Sequence, residues 1–413
     1  MDKAKPFCIS KREVWEAYKR VKANHGSAGI DGQSIEEFEG DLNNNLYRLW
    51  NRMSSGSYLP PPVRRVDIPK GDGRTRPLGI PTVSDRIAQM VVKRYLEPIL
   101  EPVFHEDSYG YRPGRSAHNA LSVARQRCWN YDWVLDLDIK GFFDNIDWAL
   151  MLRALRKHTQ CKWALLYIER WLRATVCMPD GTLVNREKGT PQGGVISPLL
   201  SNLFLHYVFD IWITKYHPQI RFERYADDVI CHCSSEGQAR ELYQALEQRF
   251  AVCGLELHPQ KTKIAYCKDS NRPGSYAEQE FDFLGYTFRP REAMNRKGEM
   301  FISFSPAVSD KAAKAMRGTI RHWRLHNRSD LELDDLARWT NPVMNGWVRY
   351  YGLFHPSVLQ KKLRTFDFYL MRWARHKYKR LKRSRSKAWD WLTRLRSRQP
   401  DLFPLWAIES SVG

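Results

Sequence analysis

Tyr225-Ala226-Asp227-Asp228, near the middle of the 413-residue chain, sets two adjacent carboxylates directly after an aromatic and a small residue. It lies between the segments Ile220–Phe222 and Val229–Cys231. That pattern reads as strand, tight turn, strand, with both carboxylates at the hairpin tip. Adjacent carboxylates repel, so the pair needs a cation nearby. Oxygen ligands at a constrained turn suit Mg²⁺. Turns also accept Asp for purely local reasons. A catalytic reading therefore needs a third carboxylate and something to hold a substrate.

Asp138 supplies the third. It ends the alternating run Trp133-Val134-Leu135-Asp136-Leu137-Asp138-Ile139, which predicts a strand. A carboxylate at a strand end, beside a hairpin tip carrying two more, is the layout of two-metal phosphoryl transfer. Asp136 shares the strand face with Asp138 and competes with it for the role. Asp144 and Asp147 are expected to cap the helix that follows. Arg64, Lys70 and Arg76 flank a turn at 70–74 and would reach a triphosphate, lysine as a point charge and arginine as a fork. Gly189-Thr190-Pro191-Gln192-Gly193-Gly194 predicts a loop whose backbone approaches a ligand closely, with the Gln192 amide facing sugar or base.

Further out, helical spacing runs over 11–25, 34–53, 84–101, 147–175, 197–215 and 236–253, and 281–288 reads as one strand. After about residue 290 the chain turns helical and basic. Residues 361–398 hold fifteen Lys or Arg against two acids, Asp367 and Asp390. The expected class is α+β up to about 290, followed by an all-α basic domain.

The formal net charge of +20 implies a polyanionic partner, and fifteen Trp with nineteen Tyr favour nucleic acid, since aromatic faces stack on bases. No apolar run approaches a membrane span and the first residues lack a signal-peptide core, so neither membrane nor export is expected. The eight cysteines form no C-x-x-C pair, which argues against zinc and for reduced thiols in the cytoplasm.

The residues together resemble the reverse transcriptases encoded by bacterial group II introns, also called maturases. The resemblance rests on Gly26–Gly32, Ile68-Pro69-Lys70, Arg76–Pro81, Ser108–Ser116, Asp138–Ile146, the 189–194 loop, Tyr225–Asp228, Lys261-Thr262-Lys263, Phe283-Leu284-Gly285 and Asn341–Tyr351. It implies a right-hand polymerase, with N-terminal extension and fingers over 1–125, palm over 126–290 and a helical thumb or maturase domain over 291–400. A short tail, 401–413, follows. It implies Asp138, Asp227 and Asp228 as catalytic carboxylates on two Mg²⁺ ions (Mn²⁺ as a substitute), with the Ile139 carbonyl as a further metal contact. Phe143 matches a steric gate against ribose, and Lys261 a lysine that protonates leaving pyrophosphate. Arg375, Lys377, Lys379, Arg380, Lys382, Arg383, Arg385 and Lys387 would grip RNA.

The implied partners are intron RNA, an RNA template with a DNA primer, dNTPs and target DNA, with a homodimer as an open option. Many relatives end in a zinc-bearing H-N-H endonuclease. No cysteine follows Cys267 here, so target-strand nicking is not expected, and a nascent strand at a replication fork would supply the primer. The leading expectation is an active RNA-directed DNA polymerase that also assists splicing. A non-catalytic RNA-binding splicing factor and a domesticated enzyme of defence or repair are the alternatives.

Overall fold

A computed structural model describes residues 5–69, 75–295 and 297–410. Contacts divide the chain into two compact units: Met1–Ala120 with Leu135–Thr262, and Leu121–Val134 with Lys263–Gly413. Lys70 and the turn at 70–74 lie outside the described residues.

The first unit opens with the helix Lys11–Ala23, started by a Ser10 capping box with Glu13. The single helix expected over 34–53 is two, Ile35–Glu39 and Leu42–Ser54, because Gly40-Asp41 interrupts the run. Val83–Leu100 begins at Thr82, whose hydroxyl accepts from the Asp85 amide. Such a cap contributes about 1 kcal/mol. Inside this helix the buried Asp85 accepts from Tyr58 Oη (2.7 Å), Trp171 Nε1 (2.7 Å) and Gln89 Nε2 (3.0 Å). Burial nonetheless raises its pKa.

Two β-structures position the candidate site. One sheet pairs Val63–Pro69 antiparallel with Thr75–Ile80, in the register Arg64↔Ile80 to Pro69↔Thr75, and parallel with Val176–Cys177. The other contains the hairpin Arg221–Tyr225 and Asp228–Cys233, with the latter beside Trp133–Leu137. Helices Trp148–Arg156, Lys162–Arg173 and Glu236–Val252 bury their apolar faces in the same unit.

In the second unit the strand expected over 281–288 is broken. Phe281–Phe283 turns back through Leu284-Gly285 into Tyr286–Met294, which pairs in turn with Met300–Val308, so the chain is not all-α from about 290 as expected but turns helical only after Val308. Both turn residues have positive φ, 51° and 80°, as a two-residue hairpin of the primed type requires. The helices Asp310–His322, Leu333–Tyr351, Pro356–Leu363, Thr365–Lys377, Arg385–Arg398 and Pro404–Ser410 follow. Their core holds Met316, Ile320, Leu336, Met344, Phe366 and Trp373. None of the eight cysteines, all of them among the described residues, is joined in a disulfide. Among the described residues no helix is long and apolar enough to cross a membrane.

Candidate active site

The hairpin forms as the sequence predicts. Tyr225 pairs with Asp228, so Ala226 and Asp227 make a two-residue turn with Ala226 at φ 58°. Asp228 is exposed and Asp227 half-buried. Burial raises the pKa of Asp227, and Asp138 across the site adds to the rise while Arg76 opposes it. The hairpin tip and the strand end are therefore within electrostatic reach. Tyr111 stands beside them, its ring 6.5 Å from Tyr225. Burial, then the Asp227 carboxylate, lifts its hydroxyl above the usual tyrosine range.

Asp138 is held by the segment 255–262. Its carbonyl accepts from the His258 amide at 2.7 Å, and its own amide donates to Thr262 Oγ1 at 3.4 Å. Ile139 bridges Leu257, and Lys140 N donates to the Glu256 carbonyl at 2.9 Å. Lys261 Nζ lies 3.0 Å from Asp138 Oδ2, so that carboxylate already has a cation. Asp136 is half-buried, and its charge acts on the buried Cys231 thiol, after burial itself, Cys233 and Glu223.

The nucleotide-side candidates separate. Arg76 Nε donates to Gln192 Oε1 at 2.7 Å, and the Gly79 amide to the Gln192 carbonyl at 2.6 Å. Arg76, Gln192 and Asp227 thus belong together. Arg64 is engaged elsewhere, its Nη2 donating to the Ala28 carbonyl at 2.6 Å in the 26–32 loop. Phe143 is buried, edge-on to Phe142 at 5.3 Å, and its carbonyl accepts from the Thr190 amide at 2.8 Å. Asp147 caps Trp148–Arg156 as expected. Asp144 does not: it lies within the short helix Phe142–Asn145 and lines a cavity of about 380 Å³ with Arg65 and Arg186. Burial raises its pKa, against those arginines.

The glycine loop is clamped on both sides. At Gly189, with φ 82°, a Cβ would come within 2.7 Å of the Phe143 and Asp144 carbonyl oxygens. At Gly193, with φ 109°, it would meet the Gly79 carbonyl oxygen at 2.5 Å. Gly189→Ala should therefore displace the loop and destabilise the unit by about 1–3 kcal/mol. A thermal melt unchanged from that of the native chain would contradict this.

Sequence reading passed over the group that holds the hairpin from behind. Arg224 and Asp210 are fully buried and form a two-pronged pair, Nε–Oδ1 2.7 Å and Nη2–Oδ2 2.6 Å. Arg224 Nη1 also donates to Asn202 Oδ1 at 3.0 Å and to the Ala226 carbonyl, within the turn, at 3.1 Å. Asn202 Nδ2 donates to the Gly110 carbonyl at 2.7 Å. A Cβ on Gly110 would lie 2.4 Å from the Ala226 nitrogen, so only glycine fits against the turn. Asp210 arrives there through a π turn, His206–Asp210, which interrupts the helix between Ser197–Leu205 and Ile211–Tyr216 and shifts its facing residues. Burial pushes the Asp210 carboxyl up, but Arg224, with a smaller part from His206 3.6 Å away, more than reverses this and its pKa ends below the usual value.

The donors Asp138, Asp227, Asp228 and the Ile139 carbonyl are all oxygen, which fits a hard divalent cation. Among the described residues, however, no three His, Cys, Asp or Glu side chains already stand in a ligand cluster. Lys261, not a neighbouring acid, faces the Asp138 carboxylate.

The basic segment of the second unit is mixed. Lys379, Arg380, Lys382, Arg383, Arg385 and Lys387 are exposed, though the Arg385 guanidinium also lies over the Phe368 ring. Arg375 donates to the Lys382 carbonyl, and Lys377 is paired with Glu332 at 2.6 Å. These two have internal work to do.

Comparison with known proteins gives the family. Residues 68–288 match the family model "Reverse transcriptase (RNA-dependent DNA polymerase)", and 313–391 match "Group II intron, maturase-specific domain". Protein YkfC of Escherichia coli K12 is 30% identical over 66% of this chain and 78% of its own. The group II intron-encoded protein LtrA of Lactococcus lactis subsp. cremoris is 36% identical over 46% of this chain, and a putative COX1/OXI3 intron 1 protein of Saccharomyces cerevisiae 30% over 48%. The matches span only 32% and 24% of those two proteins. The chain belongs to the reverse transcriptase family, in the group II intron-encoded branch that carries a maturase domain.

Proposed function

We propose that the chain copies RNA into DNA at the site formed by Asp138, Asp227 and Asp228, and that it binds group II intron RNA to assist splicing and mobility. The observation that supports the catalytic reading most is the two-residue turn placing Asp227 beside Asp228, with Asp138 near enough to raise the Asp227 pKa. The fingers, palm and thumb division over 1–125, 126–290 and 291–400 belongs to the same proposal.

Asp138, Asp227, Asp228 and the Ile139 carbonyl would hold two Mg²⁺ ions. Bound there, the ions would supply charge neutralisation for the attacking 3′-hydroxyl and the triphosphate. The chain's own part is positioning. Arg76, held by Gln192 and near enough for its charge to lower the Asp227 pKa, would meet a phosphate tail. Lys70 would act with it. The Phe143 ring, locked against Phe142, gives a rigid wall that favours dNTPs over rNTPs. Lys261 neutralises Asp138 in this arrangement and is free to turn toward phosphate once other cations take over that role. Template, primer and target DNA are the remaining proposed partners.

The test of the RNA-binding half is salt dependence. Replacing Lys379, Arg380, Lys382, Arg383 and Lys387 with Gln should weaken RNA binding. It should also flatten the log–log salt slope by about 0.7–0.9 for each phosphate that these side chains neutralise in the native complex. An unchanged slope would mean that the RNA grip lies elsewhere.

A further inference from the structure

Between the turn Lys379–Leu381 and the helix Arg385–Arg398 lies a cavity of about 570 Å³. Leu381, Leu395 and the Trp391 indole form its apolar walls. Arg380, Lys387, Arg394 and Arg398 stand around it, and no carboxylate is among its lining residues. The wall is firm, because Leu381 is buried and Trp391 is backed by Tyr378 at 5.5 Å and Trp373 at 6.5 Å between ring centres. Ser384 anchors the start of the helix, accepting from the Lys387 amide at 3.2 Å.

A duplex backbone needs only a charged surface. A concave site with an indole wall asks for something flat and apolar as well as anionic. The volume falls within the range of about 300–1,000 Å³ that encloses a small organic group. Sequence-specific RNA recognition works on bases turned out of the helix, stacked on aromatic or guanidinium planes. We propose that this cavity takes one extrahelical RNA nucleotide, with its base against Trp391 and its flanking phosphates on Arg380, Lys387 and Arg394. The proposal rests on the reading that this unit binds RNA. It gives that reading a discriminating contact: the chain would prefer RNA with an unpaired nucleotide over a continuous helix.

The test uses the full chain and three RNA hairpins: one fully paired, one with a single bulged adenosine, and one with an abasic residue at the bulge. Competition binding at fixed salt reads the ratios. The bulged adenosine should bind about tenfold tighter than both others, as stacking one base on an aromatic side chain supplies. Trp391→Leu should bring the ratio to about one. Arg394→Ala, on the exposed rim, should shrink it, and serves if the tryptophan variant fails to fold. Equal binding of the bulged and abasic hairpins would overturn the pocket while leaving the RNA-binding reading intact, as would a ratio that survives either variant. Failure of the native chain to bind any of the three would overturn both.

Discussion

Asp227→Asn should abolish DNA primer extension on an RNA template, by about 10³-fold or more, while RNA affinity stays within a factor of about two. The substitution keeps the shape of the turn and removes only charge. Loss of a preorganised electrostatic group at a reacting centre typically lowers rates by about 10²–10³, and a shared metal ligand stands at the upper end. Asp227 is the half-buried member of the hairpin pair, and burial with the Asp138 charge raises its pKa. A divalent cation held there would be neutralised by the full carboxylate charge, whereas asparagine would offer only a neutral carbonyl oxygen. In the proposed reading, RNA binding rests on other residues, in the basic helical unit. A variant that lost RNA affinity along with extension would point to a misfolded hairpin and not to a missing ligand.

Arg224→Met should destabilise the first unit by about 3–5 kcal/mol, because it leaves the Asp210 carboxylate buried with only His206 beside it. Differential scanning calorimetry should show a drop of roughly 10 °C in its unfolding transition. The double variant Arg224→Met with Asp210→Leu should recover much of that stability, since replacing a whole buried pair by apolar groups is often close to neutral. Primer extension should not recover in parallel. The hydrogen bonds from Arg224 Nη1 to Asn202 and to the Ala226 carbonyl would still be gone, and those fix the turn that carries Asp227. Full recovery of extension by the double variant would limit the pair to a stabilising role.

The pair also gives the unit an acid limit. The folded pKa of Asp210 lies below its usual value, net of a burial effect that alone would raise it. Its contribution is therefore complete above the unfolded carboxylate value of about 3.9. It disappears as pH falls through the lower folded value.

The hairpin was legible because a two-residue turn between β-formers has a local signature, and Asp138 because strand alternation ends on it. The glycine loop was legible too, for Gly189 and Gly193 occupy backbone that other residues strain to adopt. Arg224 was not, since one arginine in a strand reads as a solvated face. Asp210 left a usable signal: it is the only acid in the apolar run 195–214, and a buried acid needs a partner. The π turn that aims it breaks the 3.6-residue period, so helical phase alone misplaces it. The turn at Leu284-Gly285 was hidden for a related reason. Leucine at positive φ is uncommon, and Phe281–Phe288 is unbroken by any polar turn residue except Asp282. Arg64, Phe143 and Lys261 were identifiable as residues, but their hydrogen bonds to Ala28, Thr190 and Asp138 join distant segments and have no local trace.

The most direct measurement is extension of an annealed DNA primer on an RNA template by the native chain with dNTPs and Mg²⁺, beside the same reaction with chelator and the Asp227→Asn chain. Full-length complementary DNA should form in the first reaction alone. No product from the native chain, or equal product from all three, would contradict a metal-dependent polymerase built on Asp138, Asp227 and Asp228.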